Sequence, residues 1–401
     1  MKKTLCELFA WVWWFRVWLE RANKWWETVW ASQWEPGKKV QYAYDCYVSH
    51  FWDYQYMNTD IHEVVKEYMD VIPEHTLLVW WFPCQDYSVA RTWAKWIQWK
   101  KWVLWRDIEA ILRAKRPAFV LLENVDRLLK SPWSQRWRDF WVILSCFYDL
   151  GYTVERRVIN AAEYWFVQRR RRTFIFACRN DTKYAESIKD KTFEEILHKY
   201  GFFYKEFPIK KDAKDIRKEY FDYKDLVEVS DKFAFEFWNS WIMRDWKIHT
   251  EDVEPDYKGE YLYLKDIIQK DVDAKYKIKQ DMKKWTYLKW AKDIIRKQWT
   301  PQEYHFREWA IAFPDPLDRP ARTMLTSEWS LNRSTHVVQD KNWDYRILTP
   351  IECERINGFP DDWTNTWMPE KFRYFCMGNA LVVHLIEKMW HRLDTIIKKE
   401  D

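Results

Sequence analysis

The sequence predicts an α/β fold with a mainly parallel β-sheet, together with a smaller second domain. Short apolar runs alternate with helical patterns from residue 1 to about residue 180, an arrangement typical of βαβ units. From about residue 181 to 300 the apolar periodicity weakens, and Lys, Asp, Glu and Tyr dominate. Apolar and Pro-containing stretches return after residue 300. These changes in composition predict that the sheet domain is followed by a region of different character.

The first region supplies most of the predicted elements. The strand candidates are short apolar and β-branched runs, and they are Thr4–Ala10, Thr28–Ser32, Leu77–Val79, Phe119–Glu123 and Thr173–Cys178. The helix candidates are Ile61–Met69, Trp105–Ala114, Trp137–Leu150 and, after residue 300, Ala380–Lys399. Gly151 directly follows the third helix candidate. We expect it to cap that helix, because Gly tolerates the left-handed backbone at a helix C-terminus.

Composition narrows the class of protein. Hydrophobic residues make up 48% and charged residues 32% of the 401 residues, which is typical of a globular chain. The net charge of +5 favours an anionic partner only mildly. The seven cysteines include no CxxC pair, which favours free thiols in the cytoplasm. No uncharged apolar run reaches about 18 residues, so we expect no membrane span. No metal site is predicted.

Trp and Gly occur in abnormal numbers. The chain has 32 Trp and 6 Gly, whereas ordinary usage would give roughly 28 Gly in a chain of this length. Trp also stands where turns are expected, as in Trp25-Trp26 and Trp80-Trp81. One interpretation is an aromatic-rich core or stacking surface. The interpretation we favour is that Trp occupies many positions at which a related sequence carries Gly.

A Pro-Cys motif follows the third strand candidate. Cys84 lies in the segment 82–88, directly after the strand Leu77–Val79. Open α/β sheets place their ligands at the carboxyl ends of strands, and Pro83 fixes the backbone beside the thiol. Taken alone, such a Cys is most often a small buried residue. Its position nevertheless places Cys84 where such a sheet binds its ligands.

Two more polar motifs accompany strand candidates. Glu123 and Asn124 stand at the end of the strand candidate Phe119–Glu123, where a carboxyl group could face Cys84 across the sheet edge. Separately, Gln168 begins a run of four arginines that leads into the strand Thr173–Cys178. Alternate residues of an extended segment share one face, and Arg forks suit phosphate and carbonyl oxygens. In isolation, an exposed loop carboxylate and a solvated basic run are the more ordinary interpretations.

Together these motifs resemble the DNA cytosine-C5 methyltransferase family of the bacterial restriction-modification type, which has Pro-Cys-Gln, Glu-Asn-Val and Gln-x-Arg-x-Arg in this order. Further matching segments follow in the family's order, and they are Leu8-Phe9-Ala10, Asp60-Ile61, Arg319-Pro320-Ala321-Arg322-Thr323, Arg346-Ile347-Leu348-Thr349-Pro350, Glu352, Arg355, Gly358-Phe359-Pro360-Asp361 and Gly378-Asn379-Ala380. The resemblance covers about residues 1–180 and 315–390. A chance match of this many ordered motifs is very improbable.

The resemblance implies a Rossmann-like S-adenosylmethionine-dependent methyltransferase domain over residues 1–190, to which 375–401 return, and a target-recognition domain over 191–374. It implies methyl transfer from S-adenosylmethionine to C5 of a cytosine flipped out of duplex DNA. Its implied catalytic residues are Cys84, Glu123, Arg170 and Arg172. Its implied cofactor contacts are Phe9, Trp11, Trp13, Trp34, Glu35, Asp60, Ile61, Pro83 and Asn379. Its implied DNA contacts are Gln85, Ser88, Asn124 and Gln168. A cognate restriction endonuclease, a monomeric state and a cytoplasmic location accompany these expectations.

Departures from the family pattern concern the cofactor site. The family's first motif is Phe-x-Gly-x-Gly-Gly, and here it reads Phe-Ala-Trp-Val-Trp-Trp over residues 9–14. Trp81 replaces a Gly before Phe82, and Gln33 stands at the position of a ribose-binding acid. We therefore expect this chain to bind S-adenosylmethionine poorly, because Gly lacks a Cβ and accepts positive φ. A catalytically inactive DNA-binding relative and an aromatic-rich single-strand-binding protein are the alternative interpretations.

Overall fold

The structure is a computed structural model that describes residues 1–12, 15–16, 26–51, 56–81, 94–125, 138–220, 236–279, 282–297 and 303–401. The chain divides into two compact units. The larger unit consists of residues 1–164, 171–259 and 383–401. The smaller unit consists of residues 165–170 and 260–382. None of the helices in the described ranges is long and apolar enough to cross a membrane.

A ten-stranded sheet forms the centre of the larger unit, in the order β3-β2-β1-β4-β5-β7-β6-β9-β10-β8. Its strands are β1 (Thr4–Leu8), β2 (Glu27–Ser32), β3 (Tyr56–Met57), β4 (Leu77–Trp81), β5 (Phe119–Val125), β6 (Tyr152–Asn160), β7 (Arg171–Arg179), β8 (Asp215–Tyr220), β9 (Ser240–Arg244) and β10 (Lys247–Asp252). Strands β3, β2, β1, β4 and β5 pair in parallel. The remaining pairings are antiparallel.

Apolar burial explains why the central strands form. All five residues of β4 are buried, as expected for a parallel strand that is covered on both faces. Leu78 and Trp80 belong to a core cluster that also contains Ile108 and Leu112 of a covering helix. The predicted α/β class is thereby confirmed, and antiparallel strands are added beyond β5.

In the described ranges the α-helices of the larger unit are Tyr42–His50, Ile61–Glu67, Ala94–Lys115, Arg138–Asp149, Lys183–Lys189, Phe193–Glu195 and Val383–Ile397, with a π-helical turn at Ile196–Tyr200. Gly151 follows the helix Arg138–Asp149 with a φ of +78°. Its N–H donates to the carbonyl of Tyr148 at 2.8 Å. The predicted role of this Gly at the helix end is therefore confirmed.

The smaller unit contains two hairpins and three α-helices within the described ranges. The first hairpin pairs β11 (Lys292–Lys297) with β12 (Glu303–Glu308), and the second pairs β13 (Val337–Gln339) with β14 (Tyr345–Ile347). The helices are Met282–Lys289, Pro350–Asn357 and Glu370–Asn379. Arg346 forms a buried two-pronged ion pair with Glu352, with both N–O distances at 2.7 Å. Because Glu352 also completes the capping box of Thr349, this pair joins β14 to the following helix.

The compact units have different bounds from the predicted domains. The sequence places residues 191–259 in the second domain, whereas in the structure they belong to the larger unit. The reason is that β9 pairs with β6, so that β8, β9 and β10 extend the main sheet. The helix Val383–Ile397 also belongs to the larger unit, while residues 375–382 belong to the smaller one.

Several Trp residues adopt a backbone conformation that L-residues seldom adopt. Nine non-Gly residues of the described ranges have positive φ. Five of these are tryptophans, namely Trp11, Trp165, Trp246, Trp343 and Trp367. The left-handed region disfavours a side chain with a Cβ by roughly 1–2 kcal/mol, which is why Gly usually occupies it. The backbone therefore supports the interpretation that Trp stands at Gly positions.

Candidate active site

An ion pair between Glu123 and Arg172 lies at the ends of two neighbouring strands. Glu123 of β5 pairs with Phe174 of the antiparallel strand β7. Arg172 comes two residues before Phe174, so it lies diagonally opposite Glu123 on the same face of the sheet. Arg172 Nε is 2.9 Å from Oε1 of Glu123. The sheet register thus brings together two of the predicted catalytic residues.

The surroundings of this pair are largely shielded from water. The Glu123 side chain is fully buried, and 14% of the Arg172 side chain is exposed. Nη1 of Arg172 also donates to the carbonyl of Arg171 at 2.8 Å. A buried carboxylate is stable only beside a partner, and Arg172 supplies that partner. The arrangement can present a proton-sharing oxygen and a guanidinium to one planar ligand.

Asn124 lies next to this pair and is also buried. Its Oδ1 accepts a hydrogen bond from the Val125 N–H at 2.7 Å. Its Nδ2 has no acceptor among the residues that the structure describes. The amide can therefore donate one more hydrogen bond at the end of β5.

Four predicted site residues of the Cys84 loop lie outside the described residues, namely Pro83, Cys84, Gln85 and Ser88. Trp13 of the first motif also lies outside them.

Gln168 and Arg170 belong to the smaller unit and make their contacts there. The amide of Gln168 is completely buried. It donates to Oδ1 of Asn357 at 2.9 Å and accepts from the Met324 N–H at 3.3 Å. Both ends of this side chain are thus used internally, which gives Gln168 a structural role where the sequence predicts a DNA contact.

Arg170 holds the end of a helix in the smaller unit. Its guanidinium is buried and donates to the carbonyls of Gly378 and Asn379 at 3.2 and 3.1 Å. It also donates to the Met324 carbonyl at 3.4 Å. These carbonyls end the helix Glu370–Asn379, where a positive charge is favourable. Arg170 is therefore a positioning residue, and Asn379 uses its backbone rather than its side chain in this contact.

The turn after β1 contains two left-handed residues, Phe9 and Trp11, with φ of 56° and 50°. The Trp11 N–H donates to Oε1 of Gln33 at 2.7 Å. Trp11 and Trp81 are both buried, and their ring centroids are 6.1 Å apart. Because β1 and β4 are parallel neighbours, these two rings pack over the carboxyl-terminal edge of the sheet.

The segments after β2 and β3 contain the other predicted cofactor contacts. Glu35 is buried, and its Oε2 has no hydrogen-bond partner in the described ranges. Burial raises the pKa of Glu35, with Lys38 opposing that shift. Asp60 caps a helix by accepting from the His62 N–H at 3.0 Å. Ile61 is buried and Trp34 is half-buried.

The described residues fit a nucleoside-containing methyl donor only in part. Glu35 offers a buried oxygen that a ribose hydroxyl would satisfy, and Ile61 offers apolar surface for a base. Trp11 and Trp81 fit less well, because both are buried side by side near the ends of neighbouring strands, the edge at which such a ligand approaches the backbone. Within the described residues, the fit to this donor is therefore incomplete.

Sequence reasoning missed two buried carboxyl groups near these segments. Burial raises the pKa of Glu7 on β1 to about 8, and Arg16 opposes the shift. Asp107 is buried, and its Oδ1 lies 3.0 Å from Nδ1 of His62. An acid within an apolar strand was the available signal for Glu7. No local sequence pattern predicts the contact between Asp107 and His62, because the two residues are 45 positions apart.

Comparisons with known proteins agree with this fold. A family model, the C-5 cytosine-specific DNA methylase, matches residues 3–394. The Type II methyltransferase M.Sau3AI of Staphylococcus aureus is 46% identical over 401 residues, which covers 98% of this chain and 96% of that protein. The Type II methyltransferase M.HhaI of Haemophilus parahaemolyticus is 29% identical over 188 residues, covering 47% of this chain and 53% of that protein.

Two solved structures are also similar. The Entamoeba histolytica methyltransferase EhMeth has a TM-score of 0.58 at 13% identity and covers 99% of both chains. The S. pombe Dnmt2 methyltransferase has a TM-score of 0.59 at 14% identity, covering 99% of this chain and 98% of that chain. At these identities the likeness concerns the fold alone.

Proposed function

Because this chain belongs to the C-5 cytosine-specific DNA methylase family, we propose that Glu123 and Arg172 hold the target cytosine while Cys84 attacks it. The chain is by family a DNA (cytosine-5-)-methyltransferase, and S-adenosylmethionine is the methyl donor of that reaction. DNA is accordingly its partner. The observation that carries the proposal is the buried ion pair at the ends of β5 and β7.

The two side chains of the ion pair match different hydrogen-bonding groups of cytosine. The Glu123 carboxyl group shares a proton with ring N3 and accepts from the exocyclic amine, so that charge arriving on the ring is neutralised. The Arg172 guanidinium donates to the base O2, the bond for which its fork is suited. Holding the base in this way requires that it leave the duplex. The ion pair therefore serves as a preformed cradle for a flipped base.

Cys84 supplies the nucleophile in this proposal. Its thiolate forms a bond to C6, and the electron pair of the C5–C6 double bond moves onto the ring, where N3 is protonated. C5 thereby becomes nucleophilic. After C5 carries the methyl group, loss of its proton restores the double bond and expels the thiolate. Asn124 would order the segment that carries Cys84, and this is supported by its buried Nδ2, which has no acceptor among the described residues.

The wider assignments follow from the family. We place the enzyme in a restriction-modification system with a cognate endonuclease, as a cytoplasmic monomer whose residues 191–374 contain the target-recognition region. Major-groove contacts from that region would specify the sequence, because base edges are distinguishable there. Gln85 and Ser88 would contact the DNA beside the flipped base. Phe9 and Asp60 of the larger unit keep their proposed places around the donor.

A second candidate function is an inactive DNA-binding relative, and the packed rings of Trp11 and Trp81 favour it. The two candidates differ in donor binding. Calorimetric titration with S-adenosylmethionine measures that binding without any DNA. We expect weak or absent binding in this chain and stronger binding in the Trp11→Gly/Trp81→Gly variant. Micromolar affinity of the unsubstituted chain would remove the argument for a blocked site.

Mass spectrometry of duplex oligonucleotides treated with protein and donor tests the enzyme proposal. We expect methylcytosine with the Trp11→Gly/Trp81→Gly background, and none when Cys84→Ser is added. Duplex binding should survive Cys84→Ser, because the thiol supplies chemistry rather than positioning. Glu123→Gln keeps the shape of the side chain but loses its acidic proton-sharing, so it should lower transfer strongly. Equal methylation by the Ser variant would contradict the covalent mechanism.

A further inference from the structure

A cavity in the smaller unit has the composition of a site for an anionic ligand. Its volume is about 230 Å³. Arg169, Arg319 and Arg322 line it together with Asp315, and the rest of the lining is apolar, including Leu264 and Ile311. All of these residues belong to the smaller unit, so the cavity is formed within one compact body.

Two of the three arginines are free to bind a ligand. Arg322 is committed to Asp315, with N–O distances of 2.7 and 3.0 Å, and this bond helps to lower the pKa of Asp315 against the effect of burial. Arg169 and Arg319 are exposed and form no ion pair with any carboxylate in the described part of the chain. Asp318 is adjacent to Arg319 but does not line the cavity. Three guanidinium groups against one carboxylate leave a net charge of +2.

Hydrogen bonds hold the backbone at the two free arginines. The Ala321 N–H donates to the Val167 carbonyl at 2.6 Å, and the Arg169 N–H donates to the Ala321 carbonyl at 2.8 Å. On the other side, the Leu264 N–H donates to the Arg319 carbonyl at 3.0 Å. Three segments distant in sequence therefore meet here, so both arginine side chains extend from an anchored backbone, which reduces the entropy lost when a ligand binds.

We propose that this cavity binds one phosphodiester of the DNA substrate, gripped between Arg169 and Arg319. Guanidinium forks match phosphate oxygens in geometry and charge. The apolar part of the lining, with Pro316 and Pro320, suits the carbon face of a deoxyribose rather than a bare ion. Contacts of this kind fix the register of a protein on a duplex without reading its sequence. The inference rests on the proposed function, since that function supplies the DNA.

Salt dependence of duplex binding measures the number of phosphates that the protein neutralises. Any labelled duplex serves, because a phosphate contact carries no sequence information. We expect the Arg169→Ala/Arg319→Ala variant to bind more weakly than the parent. Its slope of log affinity against log salt concentration should be smaller by about 0.9, the value for one phosphate. Arg169→Lys should retain most of the slope, and Lys399→Ala, which removes a charge outside the cavity, should retain all of it.

Three results would overturn the proposal. An unchanged slope in the double variant would show that no phosphate binds here. A loss of about 1.8 would indicate two separate phosphates instead of one shared site. A rise in melting temperature with inorganic phosphate that the double variant lacks, together with an unchanged duplex slope, would assign the cavity to free phosphate. Failure of the proposed function is separate, because it would show as absent methylcytosine while duplex binding and its slope persist.

Discussion

Trp367 and Trp309 form a matched pair for measuring the effect of a left-handed backbone on stability. Both belong to the smaller unit. They are 93% and 89% exposed, so neither ring contributes much to the core. Trp367 has a φ of +56°, whereas Trp309 is not among the residues with positive φ. Changing each to Gly therefore compares the same substitution at one strained and one relaxed position.

The expected effects follow from three contributions. Relief of the left-handed conformation should stabilise Trp367→Gly by about 1–2 kcal/mol. The larger entropy of Gly in the unfolded chain should destabilise both variants by about 0.4–1 kcal/mol. Lost burial should remove less than about 0.7 kcal/mol from either, given the small hidden fraction of each ring. Trp309→Gly should thus be destabilised, and Trp367→Gly should be close to neutral or more stable. The difference between them should be about 1–2 kcal/mol.

Urea unfolding followed by circular dichroism measures this difference through the midpoint, provided that the m-values agree. Trp367→Ala is the control for the cause, because Ala keeps a Cβ and should not relieve the strain. Equal destabilisation of Trp367→Gly and Trp309→Gly would refute the reasoning. So would a Trp367→Ala variant that is as stable as Trp367→Gly.

Other perturbations test the interior. Glu7→Gln should stabilise the protein at neutral pH. Since the pKa of Glu7 in the folded protein is raised to about 8, the stability that its protonated form provides is complete below its ordinary pKa near 4.5. That stability is lost as pH rises toward 8. The free energy of unfolding of Glu7→Gln should therefore exceed that of the parent by an amount that grows with pH, by about 1.4 kcal/mol per pH unit at most. A difference between the two proteins that stays constant in urea unfolding from pH 5 to 8 would contradict this. Gly378→Ala places a Cβ 2.3 Å from the Thr326 nitrogen and should destabilise by about 1–3 kcal/mol. Gly259→Ala, whose new Cβ has its three nearest neighbours in the Tyr257 side chain rather than in backbone, should be milder in the same urea assay, and equal losses would argue against backbone crowding.

The parallel part of the sheet could be predicted because its strands are buried on both faces. Strands such as β4 and β5 read as continuous apolar runs in the sequence. The strand predicted over Thr4–Ala10 ends instead at Leu8. The reason is that Phe9 has a positive φ. An aromatic residue gives no sequence signal for that backbone conformation.

The β9–β10 hairpin could not be predicted for a related reason. Its two-residue loop is Asp245-Trp246, and both residues have positive φ, at 51° and 58°. Such loops usually carry Asp-Gly or Asn-Gly, which is the strongest local signal for a hairpin. With Trp in the second position the signal is absent. The extension of the sheet beyond β6, and with it the assignment of residues 191–259, therefore stayed hidden.

Residues of the candidate site could be predicted where a sequence motif identifies them. Contacts between residues that are distant in the sequence could not be predicted. Glu123 and Arg172 were both identified by their motifs, and the register of β5 against β7 determines their separation. The internal contacts of Gln168 with Asn357 depend on a segment 189 residues away. No local pattern distinguishes such a buried amide from one that faces DNA.

The short segment Trp165–Arg170 belongs to a different compact unit from its neighbours in the sequence, and this division affects protein engineering. It belongs to the smaller unit, although residues on both sides of it belong to the larger one. The rest of its unit begins at residue 260 and ends at residue 382, so the chain passes between the units four times. During synthesis the segment emerges long before the residues around Ala321 to which it bonds. A chimera that exchanges the smaller unit with that of a relative must therefore transplant two separate pieces of chain, because a single contiguous fragment cannot reproduce that unit.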